Sequence, residues 1–155
     1  MLSVGDIAPD FSSIDQFNTH LSLKKLKGHN IIVTFYPHDN SPSCTLQTCS
    51  LNETYEDWNK LNYKIIAISV DPMSSHICFS KKYGFKISLL SDTDMSIHKL
   101  YGVWDWKKFM GKEYIGCIRS TFIINKKGII THILRNREVR TKNHGQQLLE
   151  LIENY

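Results

Sequence analysis

The run Ile31-Ile32-Val33-Thr34-Phe35-Tyr36 leads into Pro37-His38-Asp39-Asn40-Ser41-Pro42-Ser43-Cys44. Consecutive β-favouring residues closed by a proline predict a short buried strand. Downstream, Thr45 to Leu61 carries Leu46, Leu51, Tyr55 and Trp58 close to helical spacing, which predicts a helix. Tyr63 to Val70 reads as a second strand, ended by Asp71-Pro72. Strand, helix and strand within about forty residues make a βαβ unit, for which a parallel pairing and a right-handed crossover are expected.

The rest of the chain extends this unit. Ser74 to Tyr83 predicts a helix capped by Ser74 or Ser75 and stopped at Gly84. Ile87 to Leu90 predicts a strand, and Met95 to Tyr101 a short helix stopped at Gly102. Thr121 to Ile124 and Ile129 to Leu134, joined by Asn125-Lys126-Lys127-Gly128, predict a β-hairpin. Gly145 to Asn154 predicts a closing helix with Leu148, Leu149 and Ile152 on one face. The order implies an α/β fold: a mixed sheet flanked by helices, of the thioredoxin-like sandwich type.

A length of 155 residues suits a single domain, 1–155. With 41% hydrophobic and 22% charged residues, the composition is that of a globular chain. The net charge of +4 is scattered, and its densest cluster (Arg135, Arg137, Arg140 and Lys142) is interrupted by Glu138. That reads as a solvated face and argues against nucleic acid as a partner. Met1 to Pro9 lacks the pattern of a secretory signal, and apolar stretches such as Ile65 to Val70 are too short to span a bilayer. A cytoplasmic location without membrane contact is therefore the expectation, and in a reducing compartment cysteines tend to be free thiols, ligands or redox catalysts.

Of the four cysteines, Cys44 is the informative one. It falls where the loop enters a helix, beside unpaired backbone N–H groups and the positive end of the helix dipole. Both favour a thiolate. Pro37 and Pro42 stiffen the loop, and Ser41 and Ser43 offer hydroxyls near the sulfur. Cys49 lies five residues on. In a regular helix that spacing separates the Cα atoms by roughly 8 to 9 Å, whereas a disulfide needs them within about 7 Å. A bond between the two requires the first turns to unwind; otherwise Cys49 is a small core residue. Cys-x4-Cys lacks the paired spacing of a structural zinc site, Cys78, Cys117 and the seven histidines are dispersed, and no Cys-x-x-Cys is present.

Pro37-x3-Ser41-x2-Cys44 resembles the peroxiredoxin active-site signature, Pro-x3-Thr/Ser-x2-Cys. Phe35-Tyr36-Pro37 before it and Cys49 after it resemble the Q-type, bacterioferritin-comigratory branch. Val4-Gly5-Asp6-x-Ala8-Pro9-Asp10-Phe11, Ile68-Ser69-Val70-Asp71, Leu89-Leu90-Ser91-Asp92, Tyr101-Gly102-Val103 and Gly116 to Ile124 carry the similarity over nearly the whole chain. Ser43 stands where the branch usually has glycine, and Cys117 where an aliphatic residue is usual.

The resemblance implies a three-layer thioredoxin-like fold with an N-terminal extension. It also implies thiol-dependent reduction of hydrogen peroxide or alkyl hydroperoxides. Cys44 would be the peroxidatic thiol and Cys49 the resolving one, with Arg119, Ser41 and Pro37 completing the catalytic set. A sulfenic acid and a Cys44–Cys49 disulfide would be the intermediates, and thioredoxin or a glutaredoxin-like protein the reductant. No metal, haem or flavin is called for, and a monomer is expected. A peroxide sensor or redox-regulated client-binding protein on the same fold is the alternative. Magnitudes say what such a site must add. A thiol of pKa ~8.5 is about 3% ionised at pH 7, and lowering that pKa to ~6 gains only roughly thirtyfold. The remainder must come from orienting the O–O bond and stabilising the departing oxygen.

Overall fold

The computed structural model describes residues 1–154. The strand read at Ile31 to Tyr36 is β3 (Asn30–Phe35), at the centre of a five-stranded sheet. It pairs in parallel with β4 (Tyr63–Ser69), which pairs in parallel with β5 (Ser88–Ser91). On its other side β3 pairs antiparallel with β8 (Ser120–Ile124), followed by β9 (Ile130–Arg135). The sheet is mixed, in the order β5-β4-β3-β8-β9.

Both faces are covered, as the strand residues require. Ile31, Val33 and Phe35 of β3 join Ile66, Ile68, Phe122 and Ile124 in one core. Their neighbours Ile32, Ile65, Ala67 and Ile123 point to the other. A central strand buried on both faces therefore reads as an unbroken apolar run. The first core is closed by Phe11 of the N-terminal segment, by Ile97 of α4 (Ser96–Leu100) and by Tyr101 and Val103. The second is closed by Leu51 of α1 (Pro42–Glu53), Trp58 of α2 (Tyr55–Lys60), Phe79 of α3 (Met73–Tyr83) and Leu148 of α5 (His144–Glu153). These layers are those of a thioredoxin-like α/β sandwich.

Several boundaries differ from the pattern-based expectation. Where spacing predicts one helix from Thr45, the helix begins at Pro42, so Cys44 lies within its first turn. Proline suits that first position because its φ is preset and its missing N–H would be unpaired there anyway. The helix also divides at Thr54. The Thr54 hydroxyl donates back to the Leu51 carbonyl at 3.0 Å and accepts from Trp58 Nε1 at 2.9 Å, so a side chain takes over part of the ladder. The cap of α3 is Pro72, without a side-chain cap bond; Ser75 instead donates to Asp39. Two hairpins escape the pattern: β1 (Ser12–Ile14) with β2 (His20–Ser22), and β6 (Trp104–Phe109) with β7 (Lys112–Cys117). The second turns through Met110 and Gly111 at φ 51° and 78°, and methionine is not a residue that announces positive φ.

One contact fixes α5 on α1. The Gly145 N–H donates to Ser50 Oγ at 2.9 Å, and a Cβ there would stand 2.5 Å from the Ser50 carbonyl oxygen. Glycine allows this close approach, which brings His144 beneath the C-terminal end of β3.

Candidate active site

The loop after β3 is built around Asp39. Its carboxylate accepts from Tyr36 Oη at 2.6 Å, Ser75 Oγ at 2.7 Å and His76 Nδ1 at 2.7 Å. Its backbone N–H donates to Asp71 at 2.8 Å. Burial pushes the Asp39 carboxyl up, but the bonds from His76, Tyr36 and Ser75 outweigh it and hold the group below its ordinary value. The loop that carries Pro37, Asn40 and Ser41 is thereby tied to α3 and to the end of β4. Asn40 takes φ 64°, a left-handed conformation that asparagine tolerates.

Chain direction then places Ser41 as the residue capping α1, with Pro42, Ser43 and Cys44 in its first turn. Ser41 Oγ donates to the His38 carbonyl at 3.2 Å, and the Ser41 carbonyl accepts from Thr45 N–H at 2.9 Å. Pro37 is half-buried at the foot of the loop. Cys44 is fully buried and packs with Tyr36 and Leu51. Cys49 lies on the same helix, partly buried against that cluster. Burial and the charge of Glu53 both push its thiol up.

Arg119 enters from the link between β7 and β8, 75 residues beyond Cys44. Its Nη2 donates to Cys44 Sγ at 3.4 Å and to Ser43 Oγ at 3.0 Å. Its Nη1 donates to Gln47 Oε1. A permanently charged guanidinium thus lies across a buried thiol, gripped by the first two turns of the helix that carries it. Of the residues singled out in the sequence, Cys44 and Arg119 are in contact, Ser41 and Pro37 frame the loop beside them, and Cys49 is held on the helix beyond. Cys44, Cys49, Cys78 and Cys117 are all free thiols.

Comparison with known proteins gives the family. Residues 4–133 match the model of the AhpC/TSA family. The chain belongs to the AhpC/TSA family. Within it, the chain is 34% identical over 154 residues to peroxiredoxin Bcp of Escherichia coli, covering 99% of this chain and 97% of that protein. It is also 34% identical over 155 residues to the chloroplastic peroxiredoxin Q of Triticum aestivum, covering 99% of this chain and 68% of that protein. The Xanthomonas campestris bacterioferritin comigratory protein, studied for alkyl peroxide reduction, superposes with a TM-score of 0.87 at 28% identity, over 99% of this chain and 97% of that one. This AhpC/TSA member is accordingly a peroxiredoxin of the Bcp/Q kind, an oxidoreductase acting as a peroxidase with peroxide substrates and a thiol reductant. No helix among the described residues is long and apolar enough to cross a membrane.

Some residues that shape the site carry no warning in the sequence. Asp39 looks like a loop residue, and Gln47 like a polar face of an amphipathic helix. Thr34 and Thr121 look like ordinary β-formers. The one available signal was polarity inside an apolar strand: Thr34 interrupts Ile31-Ile32-Val33 and Phe35-Tyr36, and a buried hydroxyl needs a partner.

Proposed function

We propose that Cys44 is the thiol that attacks the peroxide, with Arg119 as the group that orients and charges the site. The observation that carries this reading is the 3.4 Å contact from Arg119 Nη2 to Cys44 Sγ at the first turn of α1. The Cys44 thiolate attacks the terminal oxygen of ROOH and displaces RO⁻: a new S–O bond forms, the O–O bond breaks, and RO⁻ takes up a proton to leave as ROH. Cys44 is then a sulfenic acid. Arg119 is placed to donate to the peroxide oxygens and to offset charge on the departing one. The unpaired N–H groups of the first turn, and Ser41 once its hydroxyl turns from the His38 carbonyl, supply further donors. Pro37 holds the loop at the mouth.

Resolution follows from the helix. The Cys49 thiol condenses with the sulfenic acid, releasing water and leaving a Cys44–Cys49 disulfide. Since both cysteines lie in α1, the segment between them unwinds first. A dithiol protein of the thioredoxin or glutaredoxin type then reduces the disulfide by exchange.

Steady-state hydrogen peroxide consumption with a thioredoxin system tests the whole cycle. Many turnovers per protein are expected, and Cys49→Ser should oxidise once and then stall. A single oxidation in the wild-type protein would instead indicate a sensor. Full turnover of Cys49→Ser would move the resolving role to Cys78 or Cys117.

A further inference from the structure

A continuous line of buried polar groups runs from the site to the start of α5. Gln47 Nε2 donates to Thr34 Oγ1 at 2.8 Å. Thr34 Oγ1 lies 2.7 Å from Thr121 Oγ1, and Thr121 Oγ1 lies 2.8 Å from His144 Nε2. His144 Nδ1 lies 2.8 Å from Gln147 Oε1. Gln47, Thr34, Thr121 and His144 are all fully buried. Arg119 bonds the near end of this line through Gln47 Oε1.

The donors and acceptors can be assigned from the far end. The backbone N–H of Arg140 can only donate, and it reaches Gln147 Oε1 at 2.9 Å, while Gln147 Nε2 donates to the Glu138 carbonyl at 2.6 Å. The Gln147 atom facing His144 is therefore an acceptor, so His144 Nδ1 carries the proton. Burial lowers the imidazole to about 4, so it is neutral near pH 7 and Nε2 is an acceptor. Thr121 must then donate to Nε2, Thr34 to Thr121, and the Gln47 NH2 to Thr34. That leaves the Gln47 carbonyl, and not its NH2, facing the guanidinium. The opposite amide orientation would set donor against donor at Arg119 and acceptor against acceptor at Thr34, whose one proton already goes to Thr121.

We infer that His144, Thr121, Thr34 and Gln47 form a positioning relay that fixes the Gln47 amide with its carbonyl toward Arg119 and so holds the guanidinium on Cys44 Sγ. The four are positioning residues, since His144, Thr121 and Thr34 act on the reacting sulfur only through Gln47 and Arg119. The inference rests on the proposed roles of Cys44 and Arg119.

The test is the second-order rate constant of the reduced protein with hydrogen peroxide, in Thr121→Val, Thr121→Ser, Arg119→Met and the Thr121→Val/Arg119→Met double variant. Valine matches threonine in shape and removes the hydroxyl; serine keeps it. Thr121→Val should react about tenfold more slowly, because small misplacements of a catalytic group are costly, and Thr121→Ser should recover most of that loss. In the Arg119→Met background Thr121→Val should add nothing, the mark of a shared pathway. Thr34→Val and Thr34→Ser repeat the test one link nearer the site should Thr121→Val fold poorly. A wild-type rate in a folded Thr121→Val, beside a slow Arg119→Met, overturns the relay while leaving Arg119 in place. Equal slowing of Thr121→Val with and without Arg119 also overturns it, since a merely structural defect would be additive. A wild-type rate in Arg119→Met removes Arg119 itself, and the relay with it.

Discussion

Cys44 and Cys117 are both buried thiols, yet they sit in opposite chemical settings. Cys44 occupies the first turn of α1 and receives a hydrogen bond from Arg119. Cys117 ends β7 opposite Trp104, within the apolar core on the other face of the sheet. Burial pushes the Cys117 thiol up to about 12, although Lys107 and Arg119 pull the other way. Nearby positive charge does not by itself overcome desolvation. What sets Cys44 apart is its geometry, with a donor in contact with the sulfur and a place in the first turn of a helix.

Removing each thiol in turn should separate the two settings most widely. Cys44→Ser should abolish peroxide consumption, because a serine hydroxyl is too weak a nucleophile near neutral pH. Cys117→Ser should keep the rate constant within about twofold and lose about 1 to 3 kcal/mol of stability from a buried hydroxyl. Competition kinetics with hydrogen peroxide and a denaturant melt read both. Substantial activity in Cys44→Ser, or a large rate loss in Cys117→Ser, would reverse the roles of the two.

Next in size is the donor. Arg119→Met retains side-chain length and removes the charge, and should slow the peroxide reaction by about 10²- to 10³-fold with the fold retained. The same substitution leaves Gln47 Oε1 without its partner, so some stability loss should accompany the kinetic one. An unchanged rate constant would remove Arg119 from the reaction and leave the helix start alone to distinguish Cys44 from Cys117.

A third effect is on stability and concerns His144. Its imidazole is lowered from 6.5 to about 4 by burial, so the folded state binds fewer protons than the unfolded state between those values. Stability is then complete above about pH 6.5 and falls as pH drops toward about 4, by up to about 3 kcal/mol. The depressed carboxyls of Asp39 and Asp92 lose their contribution only further down, below their ordinary value of 3.8. Denaturant melts from pH 7 to pH 4.5 should therefore show a decline that His144→Gln flattens. A decline of equal size in His144→Gln would assign it to other groups.

What could be read in advance follows from how local each feature is. The βαβ unit was legible because alternate residues of β3 and β4 face two buried layers, leaving an apolar run with a proline at its end. The pairing of Cys44 with Arg119 was legible only through family resemblance, since no local pattern links residues that far apart. The helix start was misplaced because Pro42 stiffens a loop and opens a helix equally well. The hairpin through Met110 and Gly111 was missed because both of its strands carry charges and exposed aromatics. The Thr34–Thr121–His144 line was illegible because two threonines in strands and one histidine at a helix start each have commoner explanations.

The smallest predicted effect is local, and it separates the two ends of α1. In the reduced protein Thr48 Oγ1 bonds the Cys44 carbonyl at 2.8 Å, and Gln47 is locked between Arg119 and Thr34. Both ties fall between Cys44 and Cys49, on a helix where the Cα atoms stand too far apart for a disulfide. Closing the disulfide must therefore release Thr48 and Gln47 and draw Cys49 from its apolar neighbours. The break is confined to the first turns, where few backbone bonds are lost, and β4 need not move. Hydrogen exchange should show Thr45 to Ser50 amides losing protection on oxidation while Ile65 to Val70 amides keep it. Losing Gln47 also frees Arg119, so the oxidised site should be disassembled as well as unreactive. Equal protection of Thr45 to Ser50 in both states, with mass spectrometry confirming a Cys44–Cys49 bond, would show that the helix accommodates the disulfide without unwinding.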